Sequence, residues 1–370
     1  MARIRVFPVQ ERHELREFIY LPWRIYREDP YWVPPLLRDQ KAFFSLNNPF
    51  FIHAEGVYYL ARKGNEAVGR VATIVNRLHL HTHKEKAGFF GFFESIPDYQ
   101  VASALLDAAR EWLKERGMEL FRGPMNFSTN EECGFLLEGY NSSPFLMMPY
   151  NPPYYIDFMG RYGLRKAKDL LAYIVDIPQE PPPSVSRIAQ AVKREGVKIR
   201  PIDMRNFGSE IETIRKIYNE AWNENWGFLP LSREEMVWTA CRLRPLVVPG
   251  LALLAEAEGV PVGFMLSLPD YNQVLQRLNG RLGPIGLAKF LWYRKRIKDL
   301  RLMVFGILPG YRRRGIDALL YMESLKAARL LGYRRAELSW VLEDNFLVHR
   351  VATTWGARPY KRYRVFEGEV

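Results

Sequence analysis

The sequence contains very little cysteine and no long hydrophobic segment. Cys133 and Cys241 are its two cysteines, and two distant thiols supply neither a disulfide framework nor a zinc site. No stretch approaches the roughly 20 apolar residues of a membrane span, and the N-terminus lacks an apolar core of signal-peptide length. Three alternating histidines, His79, His81 and His83, lack the partners of a metal site and predict a polar turn. We therefore expect a soluble cytoplasmic protein that binds no metal.

Acidic residues are fewer than basic ones. The chain has 41 Asp and Glu against 53 Lys and Arg, a net charge of +12. This excess favours an anionic partner, such as a phosphate group, nucleic acid or a membrane surface. A length of 370 residues with 48% hydrophobic residues predicts two globular domains, each with its own core.

Two copies of one pattern follow each other along the chain. The segments from Ile4 and from Ile199 both predict a strand, an amphipathic helix and an aromatic, proline-containing turn, and each is followed by a predicted β-hairpin. Matching residues are about 194 positions apart, as in the pairs Trp32/Trp226, Gly69/Gly263 and Gly163/Gly356. We predict a first domain over 1–178, a proline-rich linker and helix over 179–198, and a second domain over 199–370.

The second copy contains a basic and aromatic insertion at 270–300, between two strands. Its composition predicts a surface helix over the sheet. A substrate lid and a helix that gives the protein peripheral membrane contact remain alternatives.

A turn with three consecutive arginines joins a strand to a helix in the second copy. Arg312, Arg313 and Arg314 precede Gly315, and a helix begins directly after them. A helix N-terminus has backbone N–H groups without intrahelical partners, and arginine forms charge-assisted bonds with phosphate oxygens. The turn predicts a diphosphate site, although a solvated basic surface would have the same composition.

The turn resembles the signature of the GNAT superfamily of acyl-CoA-dependent N-acyltransferases: Arg or Gln, two residues, Gly, one residue, then Gly or Ala. Arg312 and Gly315 match, whereas Asp317 stands at the small-residue position. Asn345 and Gly356, eleven residues apart, match a second region of the family. The motifs cover about 199–367, and the repeat extends the resemblance to about 4–176. The implied fold is α/β (α+β), with two tandem GNAT-like domains, each a mixed, mostly antiparallel central sheet flanked by helices.

The resemblance implies transfer of an acyl group, most often acetyl, from acyl-CoA to an amine by direct attack. The acceptor would be a small-molecule or peptide amine. Acetyl-CoA or another acyl-CoA would be held by Gly306, Ile307, Arg312, Arg313, Arg314, Gly315, Ile316 and Asn345. The family's usual acid, a tyrosine seven residues after the asparagine, is replaced by Ala352. Glu343 and Tyr360 are our candidates for proton transfer.

The first copy lacks the arginine turn and has Asp98 in its place. We predict that it is a degenerate repeat that binds no diphosphate. Its long polar segment predicts a contribution to the acceptor pocket from Asn126, Asn130, Glu132 and Tyr154.

Two other functions remain open. One is an aminoacyl transferase of the FemX kind, which takes its acyl group from tRNA and needs no diphosphate site. The other is a non-catalytic module that binds nucleic acid through its basic surface, as Asp317 and Ala352 would allow.

Overall fold

A computed structural model describes residues 3–370 of the chain as alternating strands and helices. The first half contains β1 (Ile4–Pro8), α1 (Arg12–Ile25), α2 (Leu37–Phe43), β2 (Ala54–Lys63), β3 (Glu66–Asn76), α3 (Arg77–His83), β4 (Ala87–Ser95), α4 (Tyr99–Lys114), β5 (Leu120–Gly123), β6 (Phe135–Glu138), α5 (Tyr154–Arg161) and β7 (Arg165–Asp176). The three predicted turn histidines therefore lie in a helix, α3, where His79 is buried and bonds to Glu85.

The second half repeats much of this order. It contains α6 (Pro183–Arg194), β8 (Lys198–Pro201), α7 (Phe207–Trp222), α8 (Arg233–Leu243), β9 (Ala252–Ala257), β10 (Val260–Pro269), α9 (Asn272–Leu278), α10 (Pro284–Tyr293), β11 (Asp299–Ile307), α11 (Ile316–Leu330), β12 (Arg335–Leu342), α12 (Phe346–Thr354) and β13 (Arg358–Glu369).

The chain forms two compact units. Met1–Leu170, Leu275–Phe290 and Lys361–Val370 form the first unit, and Leu171–Val274 with Leu291–Tyr360 form the second. The predicted limits 1–178, 179–198 and 199–370 follow the repeat in the sequence. They remain a prediction of where the repeated domains begin and end, whereas the two units are defined by compactness. Leu275–Phe290 and Lys361–Val370 lie in the first unit although the repeat puts them in the second domain, and in the latter segment β13 pairs with β5 through Phe366 and Gly123.

The first unit has a mixed sheet in the order β1-β2-β3-β4-β5. Neighbouring strands from β1 to β4 are antiparallel, whereas β4 and β5 are parallel. Helix α4 begins at its N-cap Asp98 and buries apolar residues at spacings of three and four, such as Leu106, Ala109 and Leu113. This helical period supplies most of one face of the core.

The second unit has the same pattern in the order β12-β11-β10-β9-β8. The strands from β8 to β11 are antiparallel, and β11 and β12 are parallel. The helix expected near the linker is α6, whose Ala189 and Val192 are buried in one cluster with Ile316 and Leu319 of α11. The tandem arrangement and the mixed, mostly antiparallel sheets are confirmed.

In the first unit, β4 and β5 separate after a short pairing, and the chain itself fills the gap. Pairing ends at Phe89 and Arg122. Beyond it, Met125 N donates to Phe90 O at 2.7 Å. A Cβ atom on Gly91 would lie 1.9 Å from the Met125 carbonyl oxygen. The close approach of two backbones therefore requires glycine at this position.

We predict that Gly91→Ala lowers the free energy of unfolding by about 1–3 kcal/mol, which is the typical cost of overpacking a close contact. Urea unfolding followed by circular dichroism measures the change. The control is Gly208→Ala in α7, where no atom lies within 4 Å of the new methyl group. Equal stability of the two variants would contradict the tight backbone contact.

Candidate functional site

The parallel strands β11 and β12 of the second unit separate at mid-length. They pair from Asp299 and Arg335 to Leu302 and Leu338, after which β11 continues to Ile307 beside β10 alone. A bulge in β11 accompanies the separation, because Leu302 and Val304 pair with neighbouring residues of β10 and leave Met303 between them. The result is an opening, here called the fork, between β11 and β12.

Backbone groups of β11 point into the fork. Leu308 N donates to Val262 O, and Gly306 pairs with Phe264, so even-numbered residues face β10. Backbone groups alternate in direction along a strand, so the N–H and C=O groups of Phe305 and Ile307 point away from β10 and into the fork. Their carbonyls accept from Trp222 Nε1 at 2.9 Å and Arg312 Nε at 3.4 Å, respectively. Their N–H groups remain directed into the fork.

The arginine turn presents a row of backbone donors. Arg313 and Gly315 have positive φ angles of 60° and 77°. Over residues 3–370, no protein acceptor is found for the backbone N–H groups of residues 313–317. The N-terminal end of α11 adds partial positive charge. Such an arrangement attracts an anion with several oxygen atoms.

The three arginines have different surroundings. The Arg312 guanidinium donates to the Ala221 carbonyl and lies 3.8 Å from Glu224, which ties the turn to the end of α7. Arg314 lies over the Tyr311 ring at 5.1 Å, and Arg313 and Arg314 are both exposed. Arg313 and Arg314 are therefore better placed than Arg312 to reach an incoming anion.

The glycines of the site are required by packing within the protein. A Cβ atom on Gly315 would lie 2.4 Å from Ile188 of α6, and one on Gly306 would lie 2.9 Å from Phe264. Gly315 allows a positive φ and lets α6 pack against the start of α11.

Asp317 lies in the first turn of α11. A carboxylate there is favourable for the helix itself, since it opposes the positive end of the dipole. Burial raises the pKa of Tyr321 far above its ordinary range, and the charge of Asp317 adds to the increase. Tyr321 in turn stacks on Phe305 of β11, with ring centroids 5.5 Å apart.

A buried polar group closes the narrow end of the fork. Glu337, which is fully buried, lies opposite Arg301 in the register. Ser339 Oγ donates to Glu337 Oε1 at 2.6 Å, and the Arg301 guanidinium lies 3.7 Å from the same oxygen. The Tyr360 hydroxyl donates to Glu337 Oε2. The structure thus places Tyr360, a predicted proton-transfer residue, beside the buried Glu337.

Glu343 and Asn345 lie in the turn after β12. Asn345 Oδ1 accepts from Val348 N at 3.3 Å, so this residue caps α12. The Glu343 carbonyl lies 3.2 Å from His349 Nε2.

The four residues predicted to line an acceptor pocket form bonds within the first unit. Asn126 Oδ1 accepts from Phe92 N at 2.7 Å, and its amide donates to Glu132 at 3.3 Å. Asn130 N donates to Ser128 Oγ, and the Tyr154 hydroxyl donates to the Ser95 carbonyl. Asn126 thus helps to fill the gap between β4 and β5. A role of these residues in acceptor binding stays a prediction.

Glu94, whose side chain is 13% exposed, is an acid that sequence analysis missed. It lies three residues before Pro97, as Gly306 lies three residues before Pro309. Tyr26 and Tyr155 both donate to Glu94 Oε2 at 2.8 Å. Burial raises the pKa of Glu94 to about 7. The first copy therefore places a carboxyl group where the second copy has a glycine.

Comparison with known proteins identifies a family and two relatives. The family model described as "Acetyltransferase (GNAT) family" matches residues 211–356. Protein YghO of Escherichia coli K12 is 33% identical over 97% of this chain and 94% of its own length. "Bacterial ceramide synthase" of Caulobacter vibrioides is 35% identical over 99% of this chain and 97% of its own length.

Solved structures share the fold over the whole chain. A tandem GNAT protein from the clavulanic acid biosynthesis pathway aligns with a TM-score of 0.58 and 12% identity, covering 99% of this chain and 98% of that one. A probable N-acyltransferase from Enterococcus faecalis V583 aligns with a TM-score of 0.55 and 12% identity, covering 100% and 73%. The matched family model, two relatives similar along their whole length and the repeated sheet pattern together show that the chain is a tandem-domain member of the GNAT superfamily.

Proposed function

We propose that the protein is an acyl-CoA-dependent N-acyltransferase whose donor site lies in the second unit. The observation that carries this proposal is the row of N–H groups at residues 313–317 beside the fork. A diphosphate needs several donors in a small space, and a thioester arm needs an extended groove with backbone partners. The neighbouring turn and fork supply both.

In this proposal the diphosphate of the donor binds the N–H groups of the turn, with Arg313 and Arg314 adding charge. The pantetheine arm follows β11 into the fork. The N–H groups of Phe305 and Ile307 are directed there, so they can bind amide oxygens of the arm or the thioester oxygen. Hydrogen bonds to that oxygen stabilise the negative charge that develops on it during attack.

The reaction joins the acceptor nitrogen to the thioester carbon. A neutral amine attacks, the carbonyl oxygen becomes negative in a tetrahedral intermediate, and the carbon–sulfur bond then breaks. The amine loses one proton and the leaving thiolate gains one, so the sum is an amide and free CoA. We assign proton donation to Tyr360, whose hydroxyl is oriented by Glu337.

The acceptor class follows from one relative. Ceramide is an amide of a fatty acid and a long-chain amino alcohol, and the protein named bacterial ceramide synthase is 35% identical to this chain. We therefore propose a long-chain amine as acceptor and a fatty acyl group as donor. Half-buried rings of Phe305, Tyr321 and Trp355 pack on the core of the second unit and offer an apolar wall for such a chain. Neither the aminoacyl-tRNA nor the nucleic-acid alternative is favoured by these relatives.

The first test of donor binding is calorimetry with CoA, acetyl-CoA, long-chain acyl-CoA and pantetheine, followed by amide formation with short and long amines. We expect Arg313→Gln/Arg314→Gln to weaken CoA binding at least tenfold and to leave pantetheine binding unchanged, because pantetheine has no diphosphate. The control is Arg194→Gln/Arg233→Gln, which removes two exposed charges elsewhere in the second unit.

Absence of binding to every CoA compound would contradict the donor site. Binding without amide formation from any amine would contradict the enzyme assignment. Faster turnover of acetyl-CoA than of long-chain acyl-CoA would favour the acetyl donor expected from the family resemblance.

We predict that Asp317→Ala strengthens CoA binding about fivefold at low salt, because it removes a carboxylate from the first turn of the anion-binding helix. The gain should shrink as salt screens the charge. Calorimetry at two salt concentrations measures it, and Glu323→Ala, further along α11, is the control. Unchanged affinity at low salt would mean that the carboxylate is directed away from the diphosphate.

We predict that Tyr360→Phe lowers kcat at least tenfold and changes the KM for acyl-CoA less than twofold, because proton transfer contributes typically 100-fold or more. Steady-state kinetics with the best substrate pair measures both constants. The matched control is Tyr173→Phe, which removes a hydroxyl that lies 2.8 Å from His349 Nδ1. Wild-type kcat in Tyr360→Phe would exclude this tyrosine as the donor.

A further inference from the structure

Helix α10 exposes large apolar side chains along one broad face. Ile285 is 76% exposed, Leu287 48%, Leu291 44% and Trp292 62%. At 100° per residue these four positions lie within an arc of about 160°, and Lys289 lies about 40° beyond one edge of that arc. The opposite arc contains the half-buried residues Gly286, Phe290 and Tyr293.

The chain before α10 is held firmly, so the helix is displayed on an ordered base. Trp23 Nε1 donates to Asn279 Oδ1 at 3.0 Å, and Leu37 N donates to the Gly280 carbonyl at 2.9 Å. Leu278, the last residue of α9, is buried. Four large apolar side chains on an anchored helix form a contiguous patch, and such patches mark interaction sites.

The charged residues of the segment that contains the patch are all basic. Residues 271–298 contain seven basic residues and no Asp or Glu. Arg294, Lys295 and Arg296 follow α10 directly and are exposed. The Arg296 guanidinium lies 5.1 Å from the centroid of the Trp292 ring, which places charge and indole together. Tryptophan with adjacent basic residues is typical of segments at the boundary between lipid and water.

We propose that α10 docks the protein on the surface of an anionic phospholipid bilayer. Ile285, Leu287, Leu291 and Trp292 enter the boundary between headgroups and acyl chains, and the basic residues after the helix bind lipid phosphates. The helix lies in the plane of the surface, since its ten residues are too few to cross a bilayer. Within residues 3–370, no helix combines the length and the apolar character of a membrane span.

Binding to vesicles tests this proposal without any substrate, so its outcome is independent of the acyl-transfer chemistry. We would sediment the full chain with sucrose-loaded vesicles of phosphatidylcholine alone and of phosphatidylcholine with 30% phosphatidylglycerol. The variants are Ile285→Glu/Trp292→Glu for the apolar patch and Arg294→Gln/Lys295→Gln/Arg296→Gln for the charge. The control, Leu330→Glu, replaces a leucine that is 89% exposed at the end of α11. Circular dichroism and thermal unfolding verify that each variant is folded.

We expect binding to the anionic vesicles that weakens with salt, at least tenfold loss in the apolar variant and about fivefold loss for each basic residue removed. Leu330→Glu should bind as the unmodified chain does. Three results would overturn the proposal: no binding to anionic vesicles, an equal loss of vesicle binding in Leu330→Glu, or unchanged vesicle binding in both α10 variants. Loss of affinity for an acidic carrier protein in the α10 variants, without vesicle binding, would assign the patch to a protein partner instead.

Discussion

The separation of β11 from β12 after Leu302 and Leu338 is the constraint on which the second unit depends. Two parallel strands that separate leave backbone groups without a ladder partner, and such groups cannot remain unpaired away from water. Trp222 and Arg312 satisfy the carbonyl groups of Phe305 and Ile307. The N–H groups of Phe305 and Ile307 keep the opening polar and provide hydrogen-bond donors for a ligand.

The first unit has the same topology, but its own chain occupies the corresponding positions. Its corresponding gap is filled by Met125 and by the Asn126 side chain, which bond to Phe90 and Phe92. The start of its central helix is also occupied, because Asp98 accepts from Gln100 N at 3.0 Å and pairs with Lys63. In the second unit the equivalent turn has no such cap. In the first unit, the gap between the strands and the start of the helix are occupied by contacts within the chain. In the second unit, the equivalent positions do not have these contacts.

Local sequence patterns predicted much of this structure. Hydrophobic periodicity and the offset near 194 predicted the repeated sheet and the order of its elements. They could not predict contacts between residues distant along the chain. Arg312 bonds to Ala221, about ninety positions away, and Gly315 is required by Ile188 of α6. Tyr360 bonds to Glu337, 23 positions away, and no local pattern indicates that these two residues meet. The C-terminal strand pairs with β5 by the same kind of distant contact, which no local signal encodes.

The proposed acyl transfer and the proposed docking on a bilayer are related, because the proposed substrates have opposite solubilities. CoA carries a diphosphate and remains in water, whereas a long-chain amine and a fatty acyl chain partition into lipid. An enzyme for both must expose a polar anion site to solvent and still reach molecules held in a bilayer. A helix that spans the membrane is unnecessary for this, because attachment to the surface already raises the local concentration of a lipid substrate. Reversible attachment through ten residues and a basic flank would also let the protein leave the surface as salt or lipid charge changes, which a span would prevent.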